Sequence, residues 1–423
     1  MNNTKKSVTA NAFWIMLGRV FQIGITFVTT TLVARYLGPD KYGSINYAYS
    51  YVVIFSSFAT LGLNDIVVKE LLDKNNDKSE VLGTMIGLKL IASTISIGLI
   101  YLVVLIIDNN RITRIITFLQ ALSLMFQAFD SLNYFYQSSM LSNKSAVISI
   151  VAYALTAVFR IVGLVIKKDI KWFAFAVSLD FLVVSLLLLI VYYKDGYRLE
   201  FNKSLIKKLL SKSYNYIFAS VMIGIYSKAD TLLLGKLVDE TNVGYYTAAT
   251  TICNAWPFAL QAIIDSTSPV IIDLHNKDKQ MFNKRLKQLY ASIFYVALFV
   301  GIIICVLSKT VIGLIYGIDY LPAAKPIKIV CWSTIFAYFG VARGIWMQCE
   351  NKIKYEKVLY LFGAISDIVL NLLLIKPLGI VGAAIALTLT QMLTNFIYVI
   401  ILPETRENGK LILDAIMLKG VFK

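Results

Sequence analysis

A chain of 423 residues that is 58% hydrophobic and only 16% charged is not a soluble globular protein. Such proteins carry about a quarter charged residues and lack long apolar runs. The formal net charge of +16 does not point to nucleic acid, because most basic residues fall in connections beside apolar runs, where they suit an anionic lipid surface.

Apolar stretches of about 20 residues recur from end to end, long enough to cross a hydrocarbon core as helices. They are read as helices because backbone amides in lipid must bond within their own segment. Twelve spans are expected, near 12–33, 43–63, 82–107, 115–138, 145–166, 172–193, 213–234, 243–268, 289–308, 328–349, 357–375 and 379–402. The opening MNNTKKSVTANAF has no small-residue cleavage site after a short apolar core, so the first span is expected to be retained.

The first span carries Arg19, Gln22, Thr26 and Thr30 at i, i+3, i+7 and i+11, one face of a helix. The second aligns Asn46, Ser50, Ser57, Thr60 and Asn64 in the same way. Lys89 in the third has no polar stripe beside it and reads as a snorkelling side chain. The fourth carries Gln120, Ser123, Gln127, Asp130 and Tyr134. Arg160 in the fifth lies toward the outer end of its span, where snorkelling is easy, and Asp180 in the sixth reads as structural.

The connection KDGYRLEFNKSLIKKLLSKS follows, and its Leu205, Leu209 and Lys212 fall at helical spacing, as in an amphipathic surface helix. Lys228 and Asp230 in the seventh span diverge around the helix and are not expected to pair. The eighth carries Thr250, Asn254, Gln261, Asp265 and Ser268, with Pro257 placed to kink it. Arg343 in the tenth lies roughly 10 Å from its nearer end, the same depth as Arg19. Asp367 in the eleventh reads as structural.

Two readings of the stripes stand. Small polar residues hold helices together in bundles. A water-filled cavity also accounts for the glutamines, asparagines and charges on the same faces. Charge at mid-span costs roughly 2.5–3.5 kcal/mol, and an arginine in a wet cleft suits an anion, phosphate above all, which its planar fork can grip. Cys253, Cys305, Cys331 and Cys349 lie in or beside spans without a CxxC pair, so packing is expected and no metal or disulfide. A single histidine, His275, supports neither a zinc site nor a triad.

With both termini in the cytoplasm, roughly 24 basic residues fall inside against about 12 outside. The sixth-to-seventh connection divides the chain into expected six-helix lobes, 1–200 and 201–423, the second beginning with the amphipathic linker. The halves echo each other. VARYLGPDKYGSINYA, from Val33, superposes on LLGKLVDETNVGYYTAA, from Leu233, with Tyr42 and Gly43 on Val243 and Gly244. DIKWFAFAVSLD, from Asp169, echoes GIVGAAIALTLT, from Gly379. Parallel repeats of this kind occur in secondary transporters.

The stretch Asn11 to Asp65, with Arg19, ARYLGPDKYG and FATLGLN, closely resembles the start of bacterial O-antigen and capsule polysaccharide flippases. KADTLLLGKLVDETNVGYYTAA resembles that family's seventh-span motif, WPFALQAIIDSTSPVI its eighth and GIVGAAIALTLTQ its last. Lys228 departs from it, standing where the motif often begins with arginine. The resemblance implies an all-α polytopic membrane protein of about twelve helices, with two six-helix lobes around a central lumen, like the multidrug and toxin extrusion transporters. It also implies a substrate of undecaprenyl-pyrophosphate carrying an oligosaccharide repeat, moved outward across a bacterial inner membrane by alternating access.

Arg19, Arg343 and Lys228 are then expected to attract the diphosphate, and Gln22, Asn46, Gln127, Asn254 and Gln261 to bond sugar hydroxyls. Asp130 and Asp265 are the candidates for coupling to a proton or sodium ion, with no other cofactor and no catalysis expected. Expected partners are anionic lipids, with a polysaccharide polymerase and a chain-length regulator as further candidates. A drug exporter of the same fold would favour acidic lumen residues. Lipid II flippases resemble fourteen-span proteins, and a membrane-embedded polymerising enzyme would want a large outer loop.

Overall fold

The computed structural model describes the backbone of residues 2–422 and the side chains of residues 11–422, except Ala12, Asp65, Asn215 and Ala219. The described residues form helices and no strands. In chain order α1 is Asn2–Ala59, α2 Val67–Leu72, α3 Lys78–Ile107, α4 Arg111–Ala121, α5 Ser123–Gln127 and α6 Ser131–Ser138. They continue with α7 Ser142–Val165, α8 Ile170–Lys194, α9 Lys203–Leu237, α10 Glu240–Ala255 and α11 Phe258–His275. The last are α12 Lys279–Ile315, α13 Ala324–Val330, α14 Ser333–Cys349, α15 Glu356–Leu378, α16 Ile380–Met392, α17 Tyr398–Ile401 and α18 Arg406–Ile416. A short π-helical stretch, Leu393–Ile397, joins α16 to α17.

Polar side chains start these helices where the sequence turns from loop to apolar run. Asp77 caps α3 through the Ser79 N–H at 2.7 Å, Asn110 caps α4 through Ile112 at 2.9 Å, and Asp239 caps α10 through Asn242 at 2.7 Å. Each cap satisfies an otherwise orphan donor and contributes about 1 kcal/mol.

Among the described residues nine helices are long and apolar enough to cross a membrane, or ten if the pair Ile318–Val330 and Ser333–Cys349, bent by 48°, counts as one span. Large apolar side chains stand outward along them, with Ile106 82% and Leu314 76% exposed. A helix apolar on its outward face belongs in lipid. This is a multi-pass membrane protein. The count of twelve is not reached, for two local reasons. The first two expected spans run as one helix, α1, bent at Gly38, whose φ of 76° is open to glycine. The expected eighth span is divided between α10 and α11 at Pro257, and neither part qualifies alone.

The chain divides into two compact units, Met1–Leu37 with Ser44–Gly224, and Gly38–Gly43 with Ile225–Lys423. The core of the first gathers Leu82, Met85, Leu132, Phe135, Leu188 and Tyr192. The core of the second gathers Phe282, Leu286, Tyr290, Phe339, Trp346 and Ile412. The boundary at Gly224 differs from the expected 200–201. The amphipathic linker is the start of α9, and Leu209 is buried in the first unit's core. Lys212 Nζ meets the buried Glu70 of α2 at 2.5 Å, which anchors the linker there as well.

Two charges differ from expectation. Lys89 does not snorkel. It is 1% exposed, and its ammonium donates to Asn64 Oδ1 at 2.5 Å and Ser131 Oγ at 2.8 Å. Arg160 does not snorkel either, because it forms a buried ion pair with Asp180. In both cases a polar partner from a neighbouring helix replaces water, so the side chain has no need to reach an interface.

Candidate functional site

Within the first unit a polar cavity of about 360 Å³ is lined by α1, the segment from Asp130 to Gln137, α7 and α8. Its walls are set by two local devices. Asn11, on α1, accepts a hydrogen bond from the Ser142 N–H at 2.9 Å and so caps α7, whose own N-cap residue offers no side-chain bond. One face higher, Gly18 lies against Ala146, where an added Cβ would come to 3.3 Å from the Ala146 Cβ. The close approach brings the polar face of α1 onto α7. At the end of α8, Asp195 accepts from Lys144 Nζ at 2.7 Å and from the Tyr136 hydroxyl at 3.2 Å. The Lys144 bond holds the Asp195 carboxyl below the usual carboxylate range.

Four residues singled out by the stripes meet in this cavity: Arg19, Gln22, Asp130 and Tyr134. Arg19 is exposed, and among the described residues it forms no salt bridge. Gln22 donates to the Tyr153 hydroxyl at 2.6 Å. Tyr153, Asn133, Gln137 and Ser149 also line it and were not expected. A signal for them exists, since Ser145, Ser149, Tyr153 and Thr156 form a helical stripe on the fifth span.

The other expected residues do not join this cavity. Asn46 and Gln127 are half-buried elsewhere in the first unit. In the second unit Lys228 is half-buried, Asn254 is exposed, and Gln261 donates to the exposed Asp265 at 2.8 Å. Arg343 is 0% exposed. Its Nη1 donates to the Thr394 carbonyl at 3.3 Å and to Asn395 Oδ1 at 3.2 Å, which ties α14 to the π-helical stretch. Arg343 is therefore not presented to a substrate in this structure, because packing around Trp346 and Ala342 encloses it.

The second unit also holds buried polar residues of which the sequence singled out Asp367, read as structural, and Asp230, not expected to pair with Lys228. Asp230 accepts from the Tyr246 hydroxyl, from the Thr231 N–H at 2.5 Å and from the Thr231 hydroxyl at 3.0 Å. Asp367 is 0% exposed and interacts electrostatically with Asp230. Asn371 and Thr390 flank Asp367, yet neither of its carboxylate oxygens completes a hydrogen bond, nor do Asn371 Oδ1 and Thr390 Oγ1. A carboxylate without partners in an apolar interior, as at Asp367, is costly. The oxygen donors fit a proton or a hard monovalent cation. Among the described residues no group of three or more His, Cys, Asp or Glu side chains could hold a metal ion.

Residues 8–275, more than half of the chain, match the sequence profile of the family described as "Polysaccharide biosynthesis protein". The chain belongs to this family. Over 93% of its length it is 24% identical to an Escherichia coli K12 protein named "Putative O-antigen transporter", covering 96% of that protein. Over 42% of its length it is 28% identical to the Haloferax volcanii protein named "Probable flippase AglR", covering 38% of that protein. Its fold is shared with an inward-facing multidrug resistance MATE family transporter of the MOP superfamily, at a TM-score of 0.71 and 13% identity over 94% of this chain and 95% of that one. It is shared too with the lipid II flippase MurJ in an inward closed conformation, at 0.69 and 16% identity over 98% and 91%. Those likenesses establish the fold.

Proposed function

We propose that this protein carries an undecaprenyl-diphosphate-linked oligosaccharide repeat unit from the inner to the outer leaflet of a bacterial inner membrane, by alternating access. The observation that carries this reading is the near full-length similarity to the Escherichia coli protein named as an O-antigen transporter. The cavity supplies matching chemistry. Arg19 stands exposed in a polar pocket of an otherwise lipid-facing fold, with Gln22 beside it. The guanidinium binds the diphosphate, and Lys228 adds positive charge along the path. Asn46, Gln127, Asn254 and Gln261 serve as hydrogen-bonding side chains for the sugars. Arg343, enclosed by its own unit, supports the helices and does not contact substrate.

Both termini and the basic connections face the cytoplasm in this reading, where anionic lipids attract them. A polymerase and a chain-length regulator act on the product outside. A membrane potential negative inside drives an anion outward by roughly 2.3 kcal/mol per charge per 100 mV. Asp230, Asp367, Asn371 and Thr390 would hold a coupling proton or sodium ion, which, when bound, neutralises the buried carboxylates. They fit this role better than Asp265, which is exposed and already bonded to Gln261. Asp130 lines the cavity beside Arg19 and Gln22.

The test is surface glycan in a deletion strain rescued by variants at equal expression. Arg19→Ala is expected to lower surface glycan about 10- to 100-fold, the loss of a hydrogen-bonded charge contact of about 1.5–3 kcal/mol. Arg19→Lys is expected to recover only part, because an ammonium lacks the planar fork. Full rescue by Arg19→Ala would sink the diphosphate role, and wild-type levels of glycan in the deletion strain would sink the function.

A further inference from the structure

A groove of about 430 Å³ runs between α11 and α12 within the second unit. Arg285 lines it, about one helical turn before the apolar run that opens at Leu289, a depth that suits lipid headgroups. The guanidinium is held in place. Its Nη1 donates to Gln288 Oε1 at 2.9 Å, and Gln288 Nε2 in turn donates to the Val421 carbonyl at 2.9 Å. Among the described residues Arg285 forms no salt bridge and no further hydrogen bond. Other cations of this region are already matched: Lys277 with Asp273, Lys279 with Glu350 and Lys287 with Asp414. The rest of the planar Arg285 fork therefore remains for an anion.

The remainder of the groove suits a hydrocarbon chain. Ile263, Val270, Ile271 and Leu289 supply apolar wall, and Val270 is 55% exposed, as a wall open to lipid would be. Ser266, Thr267 and Ser292 line the groove as well, but their hydroxyls are already bonded. Ser266 and Thr267 donate to the Ile263 carbonyl at 3.0 and 2.8 Å, and Ser292 donates to that of Gln288 at 2.8 Å. Satisfied by their own helices, they need no water, and their small size leaves the slot open. Among the described residues no acidic side chain lines the groove. The ammonium of a zwitterionic headgroup thus finds no partner there, and an anionic headgroup is preferred.

We propose that this groove seats one anionic phospholipid of the surrounding leaflet, its phosphate on Arg285 and the upper part of one acyl chain along Ile263, Val270, Ile271 and Leu289. The bound lipid fastens α11, the part of the broken span that follows Pro257, to α12. A single arginine answers the single phosphate of a phospholipid and not the diphosphate of a carrier lipid. The site needs only the membrane location of the chain and stands apart from its transport substrate.

The test titrates purified, delipidated full-length protein in detergent with phosphatidylglycerol, phosphatidylethanolamine and undecaprenyl diphosphate, while native mass spectrometry counts the bound molecules. Wild type is expected to bind one phosphatidylglycerol about tenfold more tightly than phosphatidylethanolamine, the scale of a hydrogen-bonded charge contact. Arg285→Gln is expected to erase that preference. Ser292→Leu, which fills the slot from an exposed position, is expected to weaken both phospholipids alike. Lys284→Gln removes a neighbouring charge that does not line the groove, and is expected to change affinity by less than about twofold. Thermal unfolding checks the fastening: phosphatidylglycerol is expected to raise the Tm of wild type and not that of Arg285→Gln. Equal losses in Lys284→Gln and Arg285→Gln would mean a merely basic surface and overturn the site. Undecaprenyl diphosphate that binds as tightly as phosphatidylglycerol, and is lost in both groove variants, would make the carrier lipid the occupant and overturn the phospholipid.

Discussion

Arg160 on α7 and Asp180 on α8 are both buried and pair with each other, and this pairing bears on how any charge in an apolar span is read. Removing one partner strands the other in a low-dielectric interior, at a cost of about 3–5 kcal/mol, whereas replacing both by apolar residues of like volume is close to neutral. Arg160→Ala is therefore expected to lower the Tm of the purified protein in detergent markedly, and Arg160→Met with Asp180→Leu to restore most of it. A double variant as unstable as the single would remove the ion-pair account. The sequence displayed the arginine but not its partner, which sits on another helix, so snorkelling was the reading available. Lys89 was hidden in the same way behind Asn64 and Ser131. Arg19 was legible because its own helix carries the polar face that lines the cavity, and Gln22 shares it.

At the scale of elements, the internal repeat acquires a physical role. Gly38, where α1 bends, and Asp239, which caps α10, fall at equivalent positions of the two halves. Within the second unit the segment Gly38–Gly43 crosses the start of α10 reciprocally. A Cβ on Gly43 would lie 1.7 Å from the Glu240 carbonyl oxygen, and one on Gly244 would lie 2.0 Å from that of Pro39. Backbone atoms cannot yield as a side-chain tip can. Gly43→Ala and Gly244→Ala are each expected to cost about 3 kcal/mol, the upper end of overpacking effects. Gly98→Ala, exposed on α3 with nothing within 4 Å, is expected to gain up to about 1 kcal/mol instead. Thermal unfolding of the three variants in detergent decides it, and a Gly43→Ala protein as stable as wild type would refute the crossing. The sequence revealed the two turns as copies of each other. That they meet backbone to backbone depends on how the chain is folded, which no single turn encodes.

For the whole molecule, the proposed coupling rests on Asp230 and Asp367, from α9 and α15. Asp367→Asn is expected to leave binding of the lipid-linked repeat unit unchanged while transport in liposomes no longer responds to an imposed proton or sodium gradient. Gradient-dependent transport in that variant would exclude the site. Composition by itself determined that the chain is a membrane protein made of helices, because long apolar runs admit no other backbone arrangement in lipid. The order of its motifs likewise pointed to the polysaccharide family, whose profile matches residues 8–275. Tertiary structure alone decided which polar residues work together. It enclosed Arg343, joined Arg19 to Asp130 and Tyr153, and buried Asp367 with no partner for its carboxylate oxygens. The reason is physical. Transfer of an apolar run into lipid is summed along the chain and can be read from it, whereas the fate of a buried charge is set by partners on other helices.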